Sequence, residues 1–425
     1  MTARPFRIAL VSEHASPLAL IGGEDAGGQN VHVAELARHL AQLGAEVTVH
    51  TRRDDPLLPS VVPFAPRVVV HHVDAGPPVP LPKDDLLPWM PTFAAELVRS
   101  WTEAPPDVVH AHFWMSGLAA RDAARELGLP IALTFHALGA VKRCHQGDAD
   151  TSPAGREAVE CELARTVDLL IATSHDELRQ LAALDATPVA SVVVPCGVDL
   201  EAFRPYRGPG RPTAPHPEVP ARPPGQHRVV TVGRLVERKG MADIVEAVAL
   251  LRDTELLVAG GPPAGLLDGD PHASALLTAA GRRGIAERIQ LLGAMPRSAM
   301  PSLLRSADVV CLYPWYEPFG IVALEAMACG IPVVAAATGG LAETVLDGVT
   351  GRLVPPRHPV ALAATLETLL RDRPACRAMG RSGRRRVERY RWMRIAAETL
   401  GELSRLAARR TAGRWDGLVV EGVRP

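Results

Sequence analysis

Short apolar runs alternate along the first half of the chain with segments in which apolar residues recur every three or four positions. The runs predict buried strands, and the periodic segments predict amphipathic helices. The predicted strands span residues 7–11, 46–50, 67–73, 107–110, 131–134, 168–172 and 191–194. The predicted helices span residues 29–43, 91–101, 115–127, 155–165 and 175–184. Such alternation is typical of a doubly wound α/β domain, which binds ligands beyond the carboxyl ends of its parallel strands.

A proline-rich segment interrupts this alternation, which then starts again. Residues 205–224 contain eight prolines, so we expect a linker rather than a helix or a sheet interior. Later strands are predicted at residues 228–232, 255–259, 288–292, 308–312 and 332–335, and helices at 320–329, 360–370, 374–389 and 392–406. The sequence therefore predicts a first domain (1–204), a linker (205–227), a second domain (228–390), a terminal helix (391–410) and a tail (411–425).

The composition excludes several classes of protein. At 425 residues the chain is too long for one hydrophobic core and fits two domains. Its 46 basic and 47 acidic residues give a net charge of -1, so the chain has no overall positive potential that would attract nucleic acid or an anionic membrane. No apolar run is long enough to span a bilayer. The six cysteines lack metal-binding spacing, so we expect a cytoplasmic protein with reduced thiols.

Two residue types are scarce, and their positions are informative. Lysine occurs only at Lys83, Lys142 and Lys239, and every other basic residue is arginine. The single asparagine is Asn30, which follows a glycine-rich segment ahead of the first predicted helix. A chain that otherwise uses arginine is expected to place lysine where a compact ammonium group matters. These four residues are therefore candidates for a binding site, although a glycine-rich segment is often a simple turn.

The stretch from residue 312 to residue 344 predicts a strand, a loop, a helix and a second strand. Glu317 lies in the loop and Glu325 lies inside the helix, with seven residues between them. The first amides of the helix favour a phosphate, whereas carboxylates accept hydrogen bonds from hydroxyl groups, so a nucleotide sugar fits the stretch. These amides belong to Phe319, Gly320, Ile321 and Val322. The alternative interpretation needs no ligand: one of the two glutamates is an ordinary surface residue, and the other is favoured near the helix N-terminus by the helix dipole.

The residues of this stretch resemble a known family signature. Glu317-Pro-Phe-Gly-Ile-Val-Ala-Leu-Glu325, followed by Ala-Met-Ala-Cys-Gly-Ile-Pro-Val-Val, is similar to the E-x7-E unit of the retaining family-4 glycosyltransferases. The segments Gly339-Gly340-Leu-Ala-Glu343 and Asp347-Gly348 extend the match. The resemblance is closest to the branch of sucrose-phosphate synthase-like enzymes and the N-acetylglucosaminyltransferase of mycothiol synthesis. It implies the GT-B fold, in which two Rossmann-like domains face a central cleft and the terminal helix completes the acceptor-binding first domain.

The resemblance also implies a donor site in the second domain. Gly233-Arg234-Leu, with Lys239-Gly240 downstream, is similar to the family's G-R-L-x-x-x-K-G segment, which implies that Arg234 and Lys239 neutralise the donor diphosphate. Glu317 is then expected to orient the donor sugar, and Glu325 to bind ribose. The remaining donor-binding residues implied by the resemblance are Gly28 at the phosphates, Gly293 and Met295 at the base, and the amides of 319–322.

The first domain is expected to bind the acceptor. Thr134-Phe-His136-Ala-Leu-Gly-Ala-Val-Lys142 is similar to the family's T-x-H-x-L-x-x-V-K segment, whose histidine bonds to the donor sugar, so His136 is assigned a catalytic role. The acceptor-binding residues implied by the resemblance are Asn30, Lys83, His112 and Arg156. His110 and His112 could suggest a metal, but no third ligand of matching spacing is evident and the family uses none. Ala137 departs from the hydroxyl residue of the mycothiol pattern, which puts an inositol phosphate acceptor in doubt.

The sequence therefore predicts a retaining hexosyltransferase that uses a nucleoside diphosphate sugar, UDP-linked by resemblance. The acceptor is expected to be a small polar molecule such as a sugar phosphate, an inositol phosphate or an aminocyclitol. No cofactor, metal or nucleic acid partner is expected, and a homodimer is left open. Transfer to a lipid-linked or glycan acceptor, a nucleotide-sugar epimerase and an inactive scaffold are the alternatives.

Overall fold

The computed structural model describes residues 4–19, 27–206 and 216–416, with only the backbone described at 411–416. Two compact units make up the chain. The first contains Met1–Ala19, Gln29–Pro195 and Trp392–Pro425, and the second contains Leu20–Gly28 and Cys196–Arg391. Part of the predicted glycine-rich segment, part of the predicted linker and the end of the predicted tail lie outside the described residues.

The first unit is built on a twisted sheet in which eight strands are described. They are β1 (Arg7–Val11), β2 (Glu46–Arg52), β3 (Val61–Ala65), β4 (Val68–Val73), β5 (Val108–His112), β6 (Ile131–Thr134), β7 (Leu169–Ala172) and β8 (Ser191–Val193). Their order is β3-β4-β2-β1-β5-β6-β7-β8, and only β3 pairs antiparallel among them. The chain runs outward from β1 on both sides, which creates a switch point between β1 and β5.

Helices cover both faces of this sheet. They are α1 (Gly28–Gln42), α2 (Met90–Glu103), α3 (Trp114–Leu127), α4 (Gly139–Gln146), α5 (Arg156–Thr166) and α6 (His175–Ala183). Because both sheet faces are covered, the strands β5, β6 and β7 are buried along their whole length. The predicted alternation of strands and helices is confirmed for this unit.

Two elements of the first unit were not predicted. Strand β3 contains Pro63, and a proline inside an apolar run counts against a strand. The structure accepts Pro63 because β3 lies at the edge of the sheet, where one side of the strand has no partner among the described strands. Helix α4 is short and begins at a glycine, so its sequence carries little helical signal.

The second unit repeats the architecture. Its strands are β9 (His227–Val232), β10 (Thr254–Ala259), β11 (Ile289–Gly293), β12 (Val309–Leu312), β13 (Val333–Ala336) and β14 (Gly351–Val354), in the order β11-β10-β9-β12-β13-β14. Its helices are α7 (Met241–Ala249), α8 (Pro271–Arg282), α9 (Met300–Ser306), α10 (Ile321–Ala328), α11 (Leu341–Thr344), α12 (Pro359–Arg371) and α13 (Arg373–Arg386). The described strands are all parallel, and the switch point lies between β9 and β12. The predicted fold class is therefore confirmed in both units.

The boundary between the units differs from the predicted one. Residues 196–204 were assigned to the first domain, but they group with the second unit. The Val198 amide donates a hydrogen bond to the Tyr390 carbonyl (2.8 Å), and the Arg297 guanidinium lies over the Phe203 ring (4.6 Å). These contacts, which local sequence does not specify, attach the segment to the second unit.

The last helix, α14 (Trp392–Asp416), groups with the first unit. The Trp392 indole is buried and meets the His32 ring edge-on, with the ring centroids 5.5 Å apart. Farther along, Arg410 pairs with Asp168 at 3.2 Å. The helix extends beyond the predicted end at residue 410, so the first residues of the predicted tail are helical. Among the described residues, no helix is both long and apolar enough to cross a membrane.

Glu177 in α6 is a buried acid that holds the turn after β7. Its Oε2 accepts hydrogen bonds from the Thr173 amide (3.2 Å) and hydroxyl (3.1 Å). Burial raises the pKa of Glu177 from 4.5 to about 7 despite these bonds. Below pH 4.5 the carboxyl is neutral in the folded and unfolded chain alike. Between pH 4.5 and about pH 7 only the unfolded chain loses this proton, so the folded state loses stability over that range and no further above it.

We expect Glu177→Gln to remove this pH dependence. Relative to the wild type, the variant should gain stability between pH 4.5 and pH 8, to a limit of about 3 kcal/mol. Thermal unfolding followed by circular dichroism at pH 5, 6, 7 and 8 measures the difference. Glu126→Gln, at an exposed carboxyl, is the control. A difference between Glu177→Gln and the wild type that does not change with pH would contradict the assignment.

Candidate active site

In the first unit, the loops after β1, β5 and β6 lie beside one another, because these strands are neighbours in the sheet. Two residues in these loops have backbone conformations that side chains other than glycine rarely adopt. Phe113, after β5, has φ of 85°, and His136, after β6, has φ of 62°. Such strain persists only where the surrounding structure imposes it, and it concentrates at functional sites.

Three imidazoles converge at this edge of the sheet. The His112 Nδ1 and His136 Nε2 atoms lie 3.0 Å apart in a hydrogen bond. The His32 ring, from α1, has its centroid 5.6 Å from that of His112 and 5.0 Å from that of His136. One ring nitrogen from each of the three lies within 4.8 Å of the others. We call His32, His112 and His136 the histidine trio.

His110 has a different role from that of His112. Its Nε2 forms a hydrogen bond with the Thr134 hydroxyl at 3.0 Å, which ties β5 to β6. A metal site at His110 and His112 is not expected from the sequence, because no third ligand is evident at matching spacing. The structure brings His112 together with His32 and His136 instead, and those residues come from α1 and from the loop after β6.

The trio is neutral at physiological pH. Burial lowers the pKa of His32 to about 4. Burial, with the other imidazoles nearby, also lowers the pKa values of His112 and His136 well below the ordinary value. Each ring therefore carries one N–H donor and one lone-pair acceptor, and can bond to a hydroxyl or to a metal ion.

A cluster of charged side chains lies farther along the same unit. The Lys142 ammonium donates to the Ser152 hydroxyl (2.9 Å) and pairs with Asp150 (2.9 Å) and Asp84 (3.6 Å). Burial raises the pKa of Asp84, but the Thr151 hydroxyl and the Lys142 and Lys83 ammonium groups outweigh it, so the net pKa lies below the ordinary value. We call Lys83, Asp84, Lys142 and Asp150 the lysine cluster.

Two residues predicted to bind the acceptor are engaged within the fold. The Arg156 side chain is 2% exposed, and it donates to Glu160 (2.7 Å), Ser152 (3.1 Å) and the Ala137 carbonyl (2.9 Å). The Asn30 amide donates to the Ser16 carbonyl at 3.0 Å. These bonds position the loops around the lysine cluster and the trio, and direct contact of Arg156 or Asn30 with an acceptor stays a prediction.

Gly28, which was predicted to lie at the donor phosphates, is exposed at the first position of α1.

In the second unit, Lys239 forms an ion pair with Glu317. Lys239 ends a short 3-10 helix, Glu237–Lys239, and Gly240 follows it with φ of 65°. A Cβ at Gly240 would lie 1.9 Å from the Tyr313 carbonyl oxygen, so only glycine lets this turn approach the end of β12. The turn thereby brings Lys239 to the loop that carries Glu317.

Glu317 lies among three cations. Burial raises its pKa, but the charges of Lys239, Arg238 and Arg234 outweigh burial and hold the pKa below its ordinary value. Burial and the charge of Arg234 lower the pKa of Arg238 to about 10. We call Arg234, Arg238 and Lys239 the cation group. Arg234 and Lys239 were predicted, whereas Arg238 was not.

Helix α10 begins beside Glu317, and its first turn is open. Gly320, with φ of 88°, is the N-cap residue of the helix, and as a glycine it has no side chain with which to cap the first amides. Gly340 donates its amide to the Glu317 carbonyl at 2.9 Å. A Cβ at Gly339 would lie 2.2 Å from the Glu317 carbonyl oxygen, so the glycine pair lets the β13 loop support the Glu317 turn. The amides at Ile321 and Val322 therefore follow the Glu317 turn directly and lie at the positive end of the helix dipole.

Glu325 is 1% exposed and pairs with the Arg297 guanidinium at 2.5 Å. Burial raises its pKa, and Arg297 opposes that shift. The sequence did not indicate this pair because 28 positions separate the two residues, as their numbers show. Glu325 therefore lies in a site where one cation already bonds to it.

The predicted base-binding loop follows β11. Gly293 has φ of 69°, and a Cβ there would lie 2.7 Å from the Ala264 amide nitrogen. Met295 and Phe319 are nearly buried, and the Phe319 ring meets Tyr390 edge-on at 6.3 Å. Close packing is therefore enough to account for glycine at position 293, and contacts of Gly293 and Met295 with a base stay predictions.

The chain matches known proteins over nearly its whole length. Residues 26–202 match the family described as Glycosyltransferase Family 4, and residues 214–386 match the family described as Glycosyl transferases group 1. The D-inositol 3-phosphate glycosyltransferase of Mycobacterium marinum is 37% identical over 417 residues, covering 96% of this chain and 87% of the relative. The chain belongs to glycosyltransferase family 4. A Mycobacterium tuberculosis relative of the same name is 38% identical over 397 residues, covering 91% of this chain and 81% of the relative.

Solved structures agree with this family-4 glycosyltransferase assignment. Sucrose-phosphate synthase from Thermosynechococcus elongatus superposes with a TM-score of 0.85 and 30% identity, covering 94% of this chain and 98% of that one. Anabaena HepE, solved with UDP and glucose, has a TM-score of 0.72 at 20% identity, covering 94% and 99% of the two chains, and shows the fold alone. The predicted family, its fold and glycosyltransferase activity are confirmed.

Several residues of this glycosyltransferase were missed by sequence reasoning. They are His32, Asp84, Asp150, Arg238 and Arg297. Glu13 and His14, which follow β1, and Ser116 of α3 were also missed, and hydrogen bonds join these three. The only available signal was that Arg238 adjoins Lys239 and Asp84 adjoins Lys83. The others become neighbours only through the order of the strands.

We expect Arg297→Ala to destabilise the protein at pH 8, because it leaves the Glu325 carboxylate buried and unpaired. The loss should be about 2 kcal/mol, below the range for fully buried pairs because Arg297 is partly exposed. At pH 5 the loss should shrink, since burial raises the pKa of Glu325 and the carboxyl can take up a proton. Urea unfolding of the wild type and the variant at both pH values measures the change.

The matched control is the double variant Arg297→Ala with Glu325→Gln, which removes the charge as well as its partner. It should recover much of the stability that Arg297→Ala alone loses. If the losses of stability caused by Arg297→Ala and by Glu325→Gln add in the double variant at both pH values, the two side chains do not interact.

Proposed function

We propose that this glycosyltransferase moves a hexose, with retention, from a UDP-linked donor to a small polar acceptor that carries a phosphate. The observation that carries the proposal is the cation group around Glu317, next to the uncapped start of α10. Three cations and a helix N-terminus match the charge of a departing nucleoside diphosphate. Relatives of this chain are named for transfer to D-inositol 3-phosphate, which supports a phosphorylated acceptor.

Binding of the donor would rearrange the ion pair between Lys239 and Glu317. A diphosphate at the cation group shares the Lys239 ammonium and weakens its bond to Glu317. The Glu317 oxygens then accept hydrogen bonds from the sugar hydroxyl groups. Since the pair already holds both side chains in place, little side-chain entropy is lost when the donor binds.

Departure of the diphosphate is the difficult step, because the anomeric carbon becomes electron-deficient. Arg234, Arg238 and Lys239 stabilise the negative charge that develops on the leaving phosphate, and no metal ion is needed for that role. We assign no covalent nucleophile and propose attack by the acceptor hydroxyl on the face from which the diphosphate leaves. The neutral His136 ring orients the sugar, and Glu325 bonds to the ribose hydroxyl groups.

The lysine cluster supports the choice of acceptor. Lys83 and Lys142, two of the three lysines in the chain, both influence Asp84. An acceptor phosphate is attracted by their ammonium groups, and Arg156 fixes the loops on which the cluster stands. Lys83, His112 and Asn30 remain the predicted acceptor-binding residues under this proposal.

A second acceptor class is favoured by one observation. Asp84 Oδ1 and Asp150 Oδ2 are buried and accept no hydrogen bond from any residue that the structure describes. Ammonium groups of an aminocyclitol would supply the missing donors. A panel of acceptors that includes both chemistries separates the two possibilities.

We expect Lys239→Ala to lower kcat about a hundredfold, because one stabilising donor of the leaving diphosphate is lost. Mass spectrometry of reactions with a panel of nucleotide sugars and acceptors, in the presence of EDTA, measures transfer. Arg283→Ala, which removes an exposed cation of the same unit, is the control and should retain activity. Full activity of Lys239→Ala would refute the leaving-group role.

We expect Lys83→Ala to raise KM for a phosphorylated acceptor at least tenfold while KM for the donor stays constant. An inositol phosphate, a sugar phosphate, unphosphorylated inositol and an aminocyclitol are compared in initial-rate assays. Arg99→Ala, at an exposed cation of the same unit, is the control. Equal losses with phosphorylated and unphosphorylated acceptors would speak against phosphate recognition, and turnover of the aminocyclitol alone would favour the second class.

A further inference from the structure

The histidine trio is the only group of three or more His, Cys, Asp or Glu side chains in the described part of the chain whose ligand atoms converge as a metal site requires. It is assembled from three separate elements: His32 lies in α1, His112 ends β5, and His136 follows β6. Two of the imidazoles are supported by a ring outside the trio. The Trp392 indole packs on His32, and His110 lies against His112 with the ring centroids 4.1 Å apart.

We infer that His32, His112 and His136 bind a divalent transition-metal ion such as Zn²⁺, with a fourth position open to water or substrate. Imidazole nitrogen is a preferred ligand of Zn²⁺, Co²⁺ and Ni²⁺. Three histidine ligands with a fourth position left open are the ligand set of zinc sites that bind water or substrate.

The distances fit after a small adjustment. Tetrahedral zinc, with Zn–N bonds of about 2.0–2.1 Å, separates its ligand nitrogens by about 3.4 Å. One nitrogen from each ring of the trio lies within 4.8 Å of the others. Ring rotations that bring these nitrogens roughly an ångström closer would therefore reach the separation that tetrahedral zinc requires. The hydrogen bond between His112 Nδ1 and His136 Nε2 gives way if those atoms become ligands, and its proton moves to the other nitrogen of its ring.

Unpartnered ring nitrogens supply the second observation. His32 Nδ1 and His112 Nε2 are buried, and neither forms a hydrogen bond with any residue between 4 and 416 that the structure describes. A buried polar atom without a partner is costly, and a bound ion is one of the groups that can satisfy it. Both rings are nearly inaccessible to solvent, so bulk water does not supply the partner.

A histidine pair elsewhere in the first unit shows the contrast. His50 and His71 lie with their Nδ1 atoms 3.2 Å apart, but the Trp101 indole donates to His50 Nε2 at 3.1 Å. No third ligand accompanies that pair among the described residues, and the second ring nitrogen of His50 already accepts a hydrogen bond from Trp101. The trio differs in both respects, so proximity of histidines alone does not define the site.

Metal binding would affect the reaction, and this consequence rests on the proposed function. The transfer step is proposed to need no metal and to use the neutral His136 ring as a partner of the donor sugar. An ion on the trio would occupy a nitrogen of that ring and so prevent its bond to the sugar. The ion would therefore inhibit transfer, and a chelator would restore it. The site thus makes the enzyme sensitive to free zinc rather than dependent on it.

The direct test uses the full-length protein without a histidine tag. Co²⁺ is titrated while its visible absorption is recorded, and Zn²⁺ is then added to displace it. We expect one equivalent of Co²⁺ with intense bands typical of four-coordination. The affinity should fall at least tenfold in His32→Gln and in His32→Phe, which keeps an aromatic ring against Trp392 and removes the ligand nitrogens.

His39→Gln, in the same helix α1, is the matched control and should bind Co²⁺ as the wild type does. Circular dichroism verifies the fold of each variant. Absence of stoichiometric binding by the wild type, or equal affinity in folded His32→Phe, overturns the inference. These readouts do not depend on transfer activity, so failure of the proposed function would leave them interpretable.

Inhibition is measured separately, once a donor and an acceptor have been found. Micromolar Zn²⁺ should inhibit the wild type, EDTA should reverse the inhibition, and His32→Phe should need at least tenfold more Zn²⁺ for the same effect. Equal sensitivity of the wild type and folded His32→Phe would overturn the inhibitory role.

Discussion

The ion pair between Lys239 and Glu317 is the interaction on which the second unit's chemistry depends. Arg234, Arg238 and Lys239 would repel one another if no anion lay between them, and the Glu317 carboxylate offsets that repulsion. Close backbone packing holds the pair: Gly240 admits the turn that carries Lys239, and the Gly339-Gly340 pair supports the turn that carries Glu317. This arrangement matches the polyanionic donor of the proposed function.

Burial acts differently on the acids and on the histidines of this chain. The Glu317 carboxylate is paired with Lys239, and the buried Glu325 carboxylate with Arg297. The histidine trio is kept neutral by desolvation and by mutual repulsion. Neutral imidazoles suit hydroxyl groups and metal ions alike, which is compatible with both roles proposed for the trio.

Much of the fold was predictable, because parallel strands buried on both faces are continuous apolar runs with helical periodicity between them. Three of the elements that were not predicted have weak local signals. Strand β3 contains a proline that only an edge position tolerates, β14 is four residues long, and α4 begins at a glycine. Residues 196–204 were assigned to the wrong unit because their position depends on contacts with Tyr390 and Arg297.

The sequence by itself determined the family and the two α/β units, and it named most of the charged residues of the candidate donor site, because these lie in contiguous motifs such as the one from Glu317 to Glu325. Only the tertiary structure decided which distant side chains meet. The histidine trio, the Arg297–Glu325 pair and the lysine cluster each join residues from separate elements. The physical reason is that the carboxyl ends of parallel strands converge according to strand order. Local periodicity reports which face of an element is buried but does not specify strand order.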